Sequence, residues 1–246
     1  LDNLVTHLDI AYIISHQITG KAYCVPEALK ERTDVKIYKT ESRGLSKNRN
    51  NILSKSTADV CFIADDDVRY DIGTIKSVVS IFEKNKDLDV FIGKIKTYKG
   101  EPDYKMYPEH KVHINFFNAN KISSIEIAFR NNVLFKKQHI QFDENFGLFG
   151  NKYPEGGEEL IFITDCLKRK LKVVFYPLFI VKHPYDSAGK TVKTGCRLFI
   201  YHWALCKRIF PYPIAILAIL LKYFKNRKRY KISILKVCSI IQNREV

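Results

Sequence analysis

The sequence predicts an α/β fold, with an open, largely parallel sheet flanked by helices and a basic helical tail at the end of the chain. Apolar, β-branched segments alternate with segments of helical periodicity, which is typical of a parallel sheet. The 246 residues are 46% hydrophobic, which is enough for one packed core. Residues 191–246 hold 12 Lys/Arg and one acid, Glu245. We therefore predict a domain over residues 1–190 and a basic tail over residues 191–246.

The first 100 residues contain most of the predicted alternation. Residues rich in Ile, Val and aromatic side chains predict strands at 9–17, 35–42, 58–68 and 87–95. Between the second and third of these strands, residues 44–56 predict a helix that Ser46 can cap. A second helix is predicted after Asp71, because apolar residues follow it at helical spacing.

The second half of the chain is less regular. Alternation of apolar and polar residues predicts a strand at 123–129, and residues 173–184 predict a strand ending near His183. Residues 158–172 predict a helix with acids in the first turn and bases in the last, as the helix dipole prefers. Residues 98–113 and 142–159 carry Pro, Gly and aromatic residues without a period, and predict loops.

The tail has the composition of a helix that lies on a membrane surface. Its apolar segment PIAILAILLKYF has 12 residues, too few for the roughly 18 or more that span a bilayer. The basic segment KNRKRYK follows it, and such a pattern favours contact of residues 211–231 with anionic lipid headgroups. The alternative is a helix packed on the domain with a solvated basic end. The six cysteines form no C-x-x-C pair, which argues against a zinc site and is typical of the reducing cytoplasm.

Three consecutive carboxylates, Asp65, Asp66 and Asp67 (the Asp triplet), stand at the carboxyl end of the predicted strand at 58–68. Ligands of open α/β sheets bind beyond the carboxyl ends of strands, so the triplet is predicted to lie in the ligand crevice. Asp65 and Asp67 can share a hard cation such as Mg²⁺ or Mn²⁺, and His183 could complete the metal shell. The alternatives are a solvated acidic turn and a polar residue at a strand end.

Two further groups of residues could carry chemistry. Glu158 or Glu159 could act as a general base, although acids are also common at helix N-termini for electrostatic reasons alone. Arg43, Lys47 and Arg49 surround a Gly turn and a helix start, which suits a phosphate group. The alternative for these basic residues is a solvated surface.

The order of these motifs resembles glycosyltransferase family 2, of the GT-A type. GLSKNRNNILSKSTADVCFIADDDV is similar to the family's G-x-S-x-x-R-N segment, helix, strand and D-x-D motif. FDENFGLFGNKYPEGGEELIFITDCLKRKLKVVFYP resembles its second signature, a Gly-rich loop, an E-D helix start and a strand. The resemblance covers residues 9–185 and implies a Rossmann-like, mixed, mostly parallel sheet. It also leads us to expect that the family's first N-terminal strand is missing.

The resemblance implies a role for each matching residue. Asp67 would bind the metal, Asp65 the metal or the nucleotide ribose, and His183 the metal or the diphosphate. Glu159 stands where the family has its catalytic Asp, and Glu158 remains the alternative base. The residues expected to contact the nucleotide-sugar are Arg43, Ser46, Arg49, Asp65 and Asp66.

The implied reaction is an inverting, metal-dependent transfer of a sugar from a nucleotide-sugar to a saccharide or lipid-linked acceptor. The implied setting is bacterial surface-polysaccharide synthesis, in the cytoplasm and peripheral to the inner face of the cell membrane. We expect the loops at 98–121 and 142–157 to select the acceptor, and no nucleic-acid partner. Two alternatives are a metal-dependent phosphodiesterase or nuclease, and a non-catalytic remnant of a glycosyltransferase.

Overall fold

The computed structural model describes residues 4–20, 24–185 and 194–243, so the predicted boundary between residues 190 and 191 lies outside the described residues. The elements are β1 Tyr12–Gln17, α1 Glu27–Lys30, β2 Val35–Thr40, α2 Leu45–Leu53, β3 Val60–Phe62, α3 Ile72–Lys84, β4 Val90–Lys96, β5 Val112–His113, β6 Ile127–Arg130, α4 Glu158–Lys168, β7 Val173–Lys182, α5 Cys196–Ile209, α6 Tyr212–Tyr230 and α7 Ile234–Gln242.

The sheet is mixed, and this confirms the predicted α/β class. β1 and β2 form a parallel pair, and the other strands form a five-stranded sheet in the order β3-β6-β4-β7-β5. β6 runs antiparallel to both β3 and β4, whereas β4 and β7 are parallel and β5 runs against β7. Three of the five strands thus share a direction, but three of the four neighbouring pairs are antiparallel, because β6 inserts between β3 and β4 and β5 runs against β7.

Hydrophobic clusters cover both faces of this sheet. On β4, Val90 and Ile92 belong to a cluster that includes Phe162 of α4, and Phe91 belongs to a second cluster that includes Phe82 of α3. All five side chains are at least 98% buried. This alternation is the two-residue period of a strand that is buried on both faces. β4 therefore lies at the centre of the core, and the loop at its carboxyl end starts from a tightly packed strand.

Local hydrogen bonds decide where several elements begin. Asp71 caps α3 as predicted, and its side chain accepts a hydrogen bond from the Thr74 N–H. The predicted Ser46 cap is wrong, because α2 begins after Gly44 and the Ser46 hydroxyl donates to the Phe146 carbonyl. The strand predicted at 123–129 begins only at Ile127, because Ser123 and Glu126 form a capping box around a 3₁₀ turn.

The C-terminal helices pack against the domain on one side and are exposed on the other. Residues of α5, α6 and α7 share a buried cluster with Phe146 and Ile161, and Arg208 of α5 forms ion pairs with Asp143 and Asp165. In the part of the chain that the structure describes, no helix is both long enough and apolar enough to cross a membrane.

Candidate active site

The Asp triplet leaves the sheet at the carboxyl end of β3, as the sequence predicts. Ile63 is buried, and the Tyr70 hydroxyl donates to its carbonyl at 2.9 Å, which closes the turn that carries the three acids. Asp66 and Asp67 are exposed, whereas Asp65 is half-buried and points toward α2. The triplet therefore divides into one carboxylate that faces the protein and two that face solvent.

Arg49 connects the Asp triplet to the acids of α4. Its side chain is 6% exposed, and its Nη2 donates to Asp65 Oδ1 at 3.2 Å and to Ser124 Oγ at 2.8 Å. Its Nη1 lies 3.4 Å from Glu158 Oε1 and 3.7 Å from Glu159 Oε1. One buried guanidinium thus faces three carboxylates, and this contact brings two motifs more than 90 residues apart in sequence to a single site.

The two glutamates at the start of α4 lie in different environments. The Glu158 side chain is 4% exposed, whereas the Glu159 side chain is 21% exposed. Burial raises the pKa of Glu158 to about 7, the neighbouring Glu159 charge adds to the rise, and Arg49 opposes it. Glu158 Oε2 has no hydrogen-bond partner among the described residues. Of the two acids, Glu159 is the one that an incoming hydroxyl group could reach.

The Gly-rich loop before α4 closes tightly over Glu158. Gly147 has φ +98°, and a Cβ there would lie 3.0 Å from both Glu158 Cδ and Ser46 Oγ. Gly157 has φ +90°, and a Cβ there would lie 2.8 Å from the Tyr201 hydroxyl oxygen. Both positions require glycine for backbone conformation and for space. The predicted loop is therefore a packed cover that excludes water from Glu158.

His183 extends the acid cluster at the end of β7. The imidazole is buried, its Nε2 lies 3.3 Å from Asp67 Oδ2, and its Nδ1 lies 2.6 Å from the Pro184 carbonyl oxygen. Within the described ranges, no three His, Cys, Asp or Glu side chains form a group that could hold a metal alone. Asp67 and His183 nevertheless form a pair that fits a cation with further ligands from substrate phosphate oxygens and water.

The predicted nucleotide-binding residues are in three different situations. The Arg43 guanidinium stacks 3.8 Å from the centroid of the Phe149 ring. This contact connects the turn that carries Arg43, Lys47 and Arg49 (the basic turn) to the Gly-rich loop. Ser46 is buried and its hydroxyl is engaged by Phe146, so it supports the loop and does not offer a free donor. Asp66 is exposed beside the crevice.

Sequence reasoning missed three residues that shape the site. Ser124 holds the Arg49 guanidinium, and the Phe142 ring lies 5.3 Å from it. Tyr201 of α5 approaches Gly157; burial raises its pKa, and the Glu158 and Glu159 charges add to the rise. Neither Ser124 nor Tyr201 lies in a recognisable motif, so no signal in the sequence marks them. Phe142 could have been found, because it opens the second signature segment.

Comparison with known proteins gives a family and a fold. The family model described as "Glycosyl transferase family 2" matches residues 24–151. No curated protein sequence matches the chain. The crystal structure of S. aureus TarS 1-349 in complex with UDP-GlcNAc superposes with a TM-score of 0.56 at 16% identity, over 74% of this chain and 52% of that chain.

Two further structures of the same protein agree with this fold. S. aureus TarS gives a TM-score of 0.61 at 13% identity, over 83% of this chain and 35% of that chain. TarS 1-349 in complex with UDP gives 0.57 at 14% identity, over 84% and 58%. The chain thus spans between about a third and three fifths of the length of these structures. The family match covers just over half of the chain and contains both the basic turn and the Asp triplet, and the chain therefore belongs to glycosyl transferase family 2.

Proposed function

We propose that the chain transfers a sugar from a nucleotide-sugar donor to a hydroxyl group of a saccharide or lipid-linked acceptor, with inversion at the anomeric carbon. The observation that carries this proposal is the set of contacts made by Arg49. It joins the D-x-D carboxylate Asp65 to Glu158 and Glu159 at the start of α4. A donor held at the Asp triplet would therefore lie beside a carboxylate that can accept the proton of the acceptor.

The donor side of the site would be formed by the basic turn and the Asp triplet. Arg43 and Arg49 would attract a nucleotide diphosphate electrostatically, and Asp65 or Asp66 would accept hydrogen bonds from the ribose hydroxyls. Crystals of the structurally similar TarS hold UDP and UDP-GlcNAc, which makes UDP-sugars the first donors to test.

A divalent cation, Mg²⁺ or Mn²⁺, would be held by Asp67 and His183. When bound, it would supply positive charge to the diphosphate as the glycosidic bond breaks. Two contacts of the His183 ring support this role, since its Nδ1 is next to the Pro184 carbonyl and its Nε2 faces Asp67. Asp65 is engaged by Arg49 and would act mainly on the donor.

Glu159 would be the base and Glu158 a positioning residue. Glu159 is the more exposed of the two acids, and Arg49 Nη1 lies 3.7 Å from its Oε1. A carboxylate here could accept the proton of a hydroxyl group while that group attacks the anomeric carbon. Glu158 is enclosed by the Gly147 cover and holds the other side of the Arg49 guanidinium.

The test is a binding and hydrolysis screen of the full chain with UDP-, GDP-, CMP- and TDP-sugars, with and without Mn²⁺ or Mg²⁺. We expect metal-dependent binding of one donor class, and a loss of about 100-fold or more in Asp67→Ala, the scale of removing a metal contact. Asp59→Ala is the matched control, because Asp59 is an exposed acid at the opposite end of β3. No donor binding under any condition, or equal binding by both variants, would refute the proposal.

We also propose that the enzyme works in the cytoplasm, at the inner face of the cell membrane, in surface-polysaccharide synthesis, with residues 211–231 in contact with the lipid surface. Ile214, Leu217, Leu221 and Phe224 form a stripe on α6 and are 52–66% exposed. Their spacing places them on one helix face, and Lys225 and Lys228 are exposed at its end. Such a face suits the apolar and anionic layers of a lipid interface.

Vesicle sedimentation tests this contact. We expect the full chain to sediment with phosphatidylglycerol vesicles and not with phosphatidylcholine vesicles, and Leu217→Gln/Phe224→Gln to remain in solution. Met106→Gln/Phe117→Gln is the matched control, because these two side chains are 94% and 95% exposed elsewhere on the domain. Equal sedimentation of the two double variants would exclude α6 as the contact.

A further inference from the structure

A second basic site lies beside the Asp triplet. The carboxyl ends of β4 and β7 and the loop after β4 enclose an open cleft of about 630 Å³. Its lining includes three lysines, two aromatic residues and one acid, which are Lys96, Lys99, Lys182, Tyr98, Phe179 and Asp103. We call this space the lysine cleft. The lysine cleft is separate from the basic turn around Arg43, because it is formed by the end of β4, the segment after β4 and the end of β7.

The lining of the lysine cleft carries three positive charges and one negative charge. Lys96, Lys99 and Lys182 are exposed, and within the described ranges none of them forms an ion pair. Lys96 and Lys182 are paired residues on neighbouring parallel strands, which holds their charges close together. Like charges at facing positions of a sheet destabilise it, so their arrangement is explained more readily by an anionic ligand than by stability.

Arg69 adds to this charge and joins the cleft to the Asp triplet. Its backbone exchanges two 2.9 Å hydrogen bonds with Lys182, and its guanidinium lies 5.9 Å from the centroid of the Tyr98 ring. Lys182 directly precedes His183, whose Nε2 is 3.3 Å from Asp67 Oδ2. Because Lys182 is hydrogen-bonded to Arg69, which is two residues from Asp67, a molecule in the lysine cleft would lie near the site where the donor sugar is proposed to bind.

The aromatic residues of the cleft suit a sugar ring. Phe179 is 44% exposed although it lies on the central sheet, and Lys94 Nζ is 4.1 Å from its ring centroid. Lys94 thus covers one face of the ring, and the apolar face of a pyranose could pack on the part of Phe179 that remains exposed. The Asp103 carboxylate could accept a hydrogen bond from a sugar hydroxyl group.

We infer that the lysine cleft binds the acceptor, and that the acceptor is a saccharide bearing phosphate or carboxylate groups. This inference rests on the proposed glycosyl transfer, since it names the substrate class of that reaction. The aromatic residues would pack on the sugar rings, and the lysines would pair with the negative groups. Phosphate and carboxylate share the chemistry that the lysines recognise, so the experiment contains one probe of each kind.

The test compares the wild type with Lys96→Gln/Lys99→Gln/Lys182→Gln. Binding of three labelled probes is measured by fluorescence anisotropy at low and high salt: a phosphodiester-linked oligosaccharide, an oligogalacturonate and a neutral maltooligosaccharide. We expect the wild type to bind at least one anionic probe more tightly than the neutral one, and the variant to lose about tenfold or more in affinity for it. Lys76→Gln/Lys84→Gln/Lys86→Gln removes the same charge from exposed positions on and after α3 and is expected to bind like the wild type.

UDP-GlcNAc binding, measured on the same proteins with Mn²⁺, separates the two proposals. We expect the cleft variant to keep donor affinity within about twofold of the wild type. A wild type that binds the donor and no anionic probe overturns the acceptor inference alone. A cleft variant that loses donor and probe affinity equally also overturns it, because the lysines then serve the diphosphate. A wild type that binds a probe through these lysines but binds no nucleotide-sugar from the full donor panel refutes the proposed reaction, and with it the assignment of the cleft to an acceptor.

Discussion

Replacing Glu158 by glutamine is the sharpest test of how the site is built. The pKa of this carboxyl group is raised from 4.5 to about 7, mainly by burial. The folded protein therefore binds a proton that the unfolded chain releases between these two pH values. Stability falls as pH rises through this window, because folding must either hold the proton or bury the charge. The glutamine side chain keeps the shape and a carbonyl oxygen for Arg49 but cannot ionise, so the variant should lack this part of the pH dependence.

The expected size follows from the shift. The rise in pKa from 4.5 to about 7 corresponds to roughly 3 kcal/mol, at about 1.36 kcal/mol for each pKa unit. Urea unfolding of both proteins from about pH 4 to about pH 8 should therefore show similar stability at the acid end and a gap of roughly 3 kcal/mol at the alkaline end, with Glu158→Gln the more stable. Glu159→Gln, which leaves Glu158 in place, should retain a downward slope. Parallel stability curves for the wild type and Glu158→Gln would refute the reasoning.

Three other predictions concern the cover, the base and the tail. Gly147→Ala should cost about 1–3 kcal/mol in urea unfolding, because it adds both φ strain at +98° and a contact of 3.0 Å, whereas Gly100→Ala at φ +92° meets nothing within 4 Å and should cost less. Glu159→Gln should lower kcat by about 100-fold or more while donor affinity is kept, and an unchanged kcat would show that another residue is the base. Arg208→Met should destabilise the full chain by about 1–2 kcal/mol, because Asp143 loses its cation and Asp165 keeps only Lys168 at 3.6 Å. Lys30→Met is the control and should matter little, because Lys30 and its partner Glu27 are both exposed.

The sequence was sufficient for the fold class and for the places that the candidate acids take in the fold, because both depend on strong local signals. An apolar strand followed by carboxylates predicts a strand end in the crevice, and the structure has the Asp triplet there. The acids of α4 were found because a helix start after two glycines is visible in sequence. The order of motifs then added the expectation that these groups meet.

The contacts between motifs could not be predicted in the same way. Ser46 has the residue type of a helix cap, but a hydrogen-bond acceptor 100 residues away, the Phe146 carbonyl, proved more important. The turn at residues 123–126 is a different case, because the S-x-x-E spacing of Ser123 and Glu126 is a local capping-box signal that the strand-like alternation obscured. In both cases hydrogen bonds to a specific partner override a local preference that is worth at most about 2 kcal/mol.

Charge balance gives the physical reason for proposing a cation at this site. The Asp triplet and the two glutamates bring five carboxyl groups together, whereas Arg49 is the buried guanidinium among them. The raised pKa of Glu158 lets this carboxyl group hold a proton near neutral pH, which removes part of the excess negative charge. Asp66 and Asp67 face solvent, so their charges are open to a ligand from outside the protein. A divalent cation between Asp67 and His183 would offset part of the negative charge of these two acids and of the diphosphate, so donor binding and metal binding should each strengthen the other.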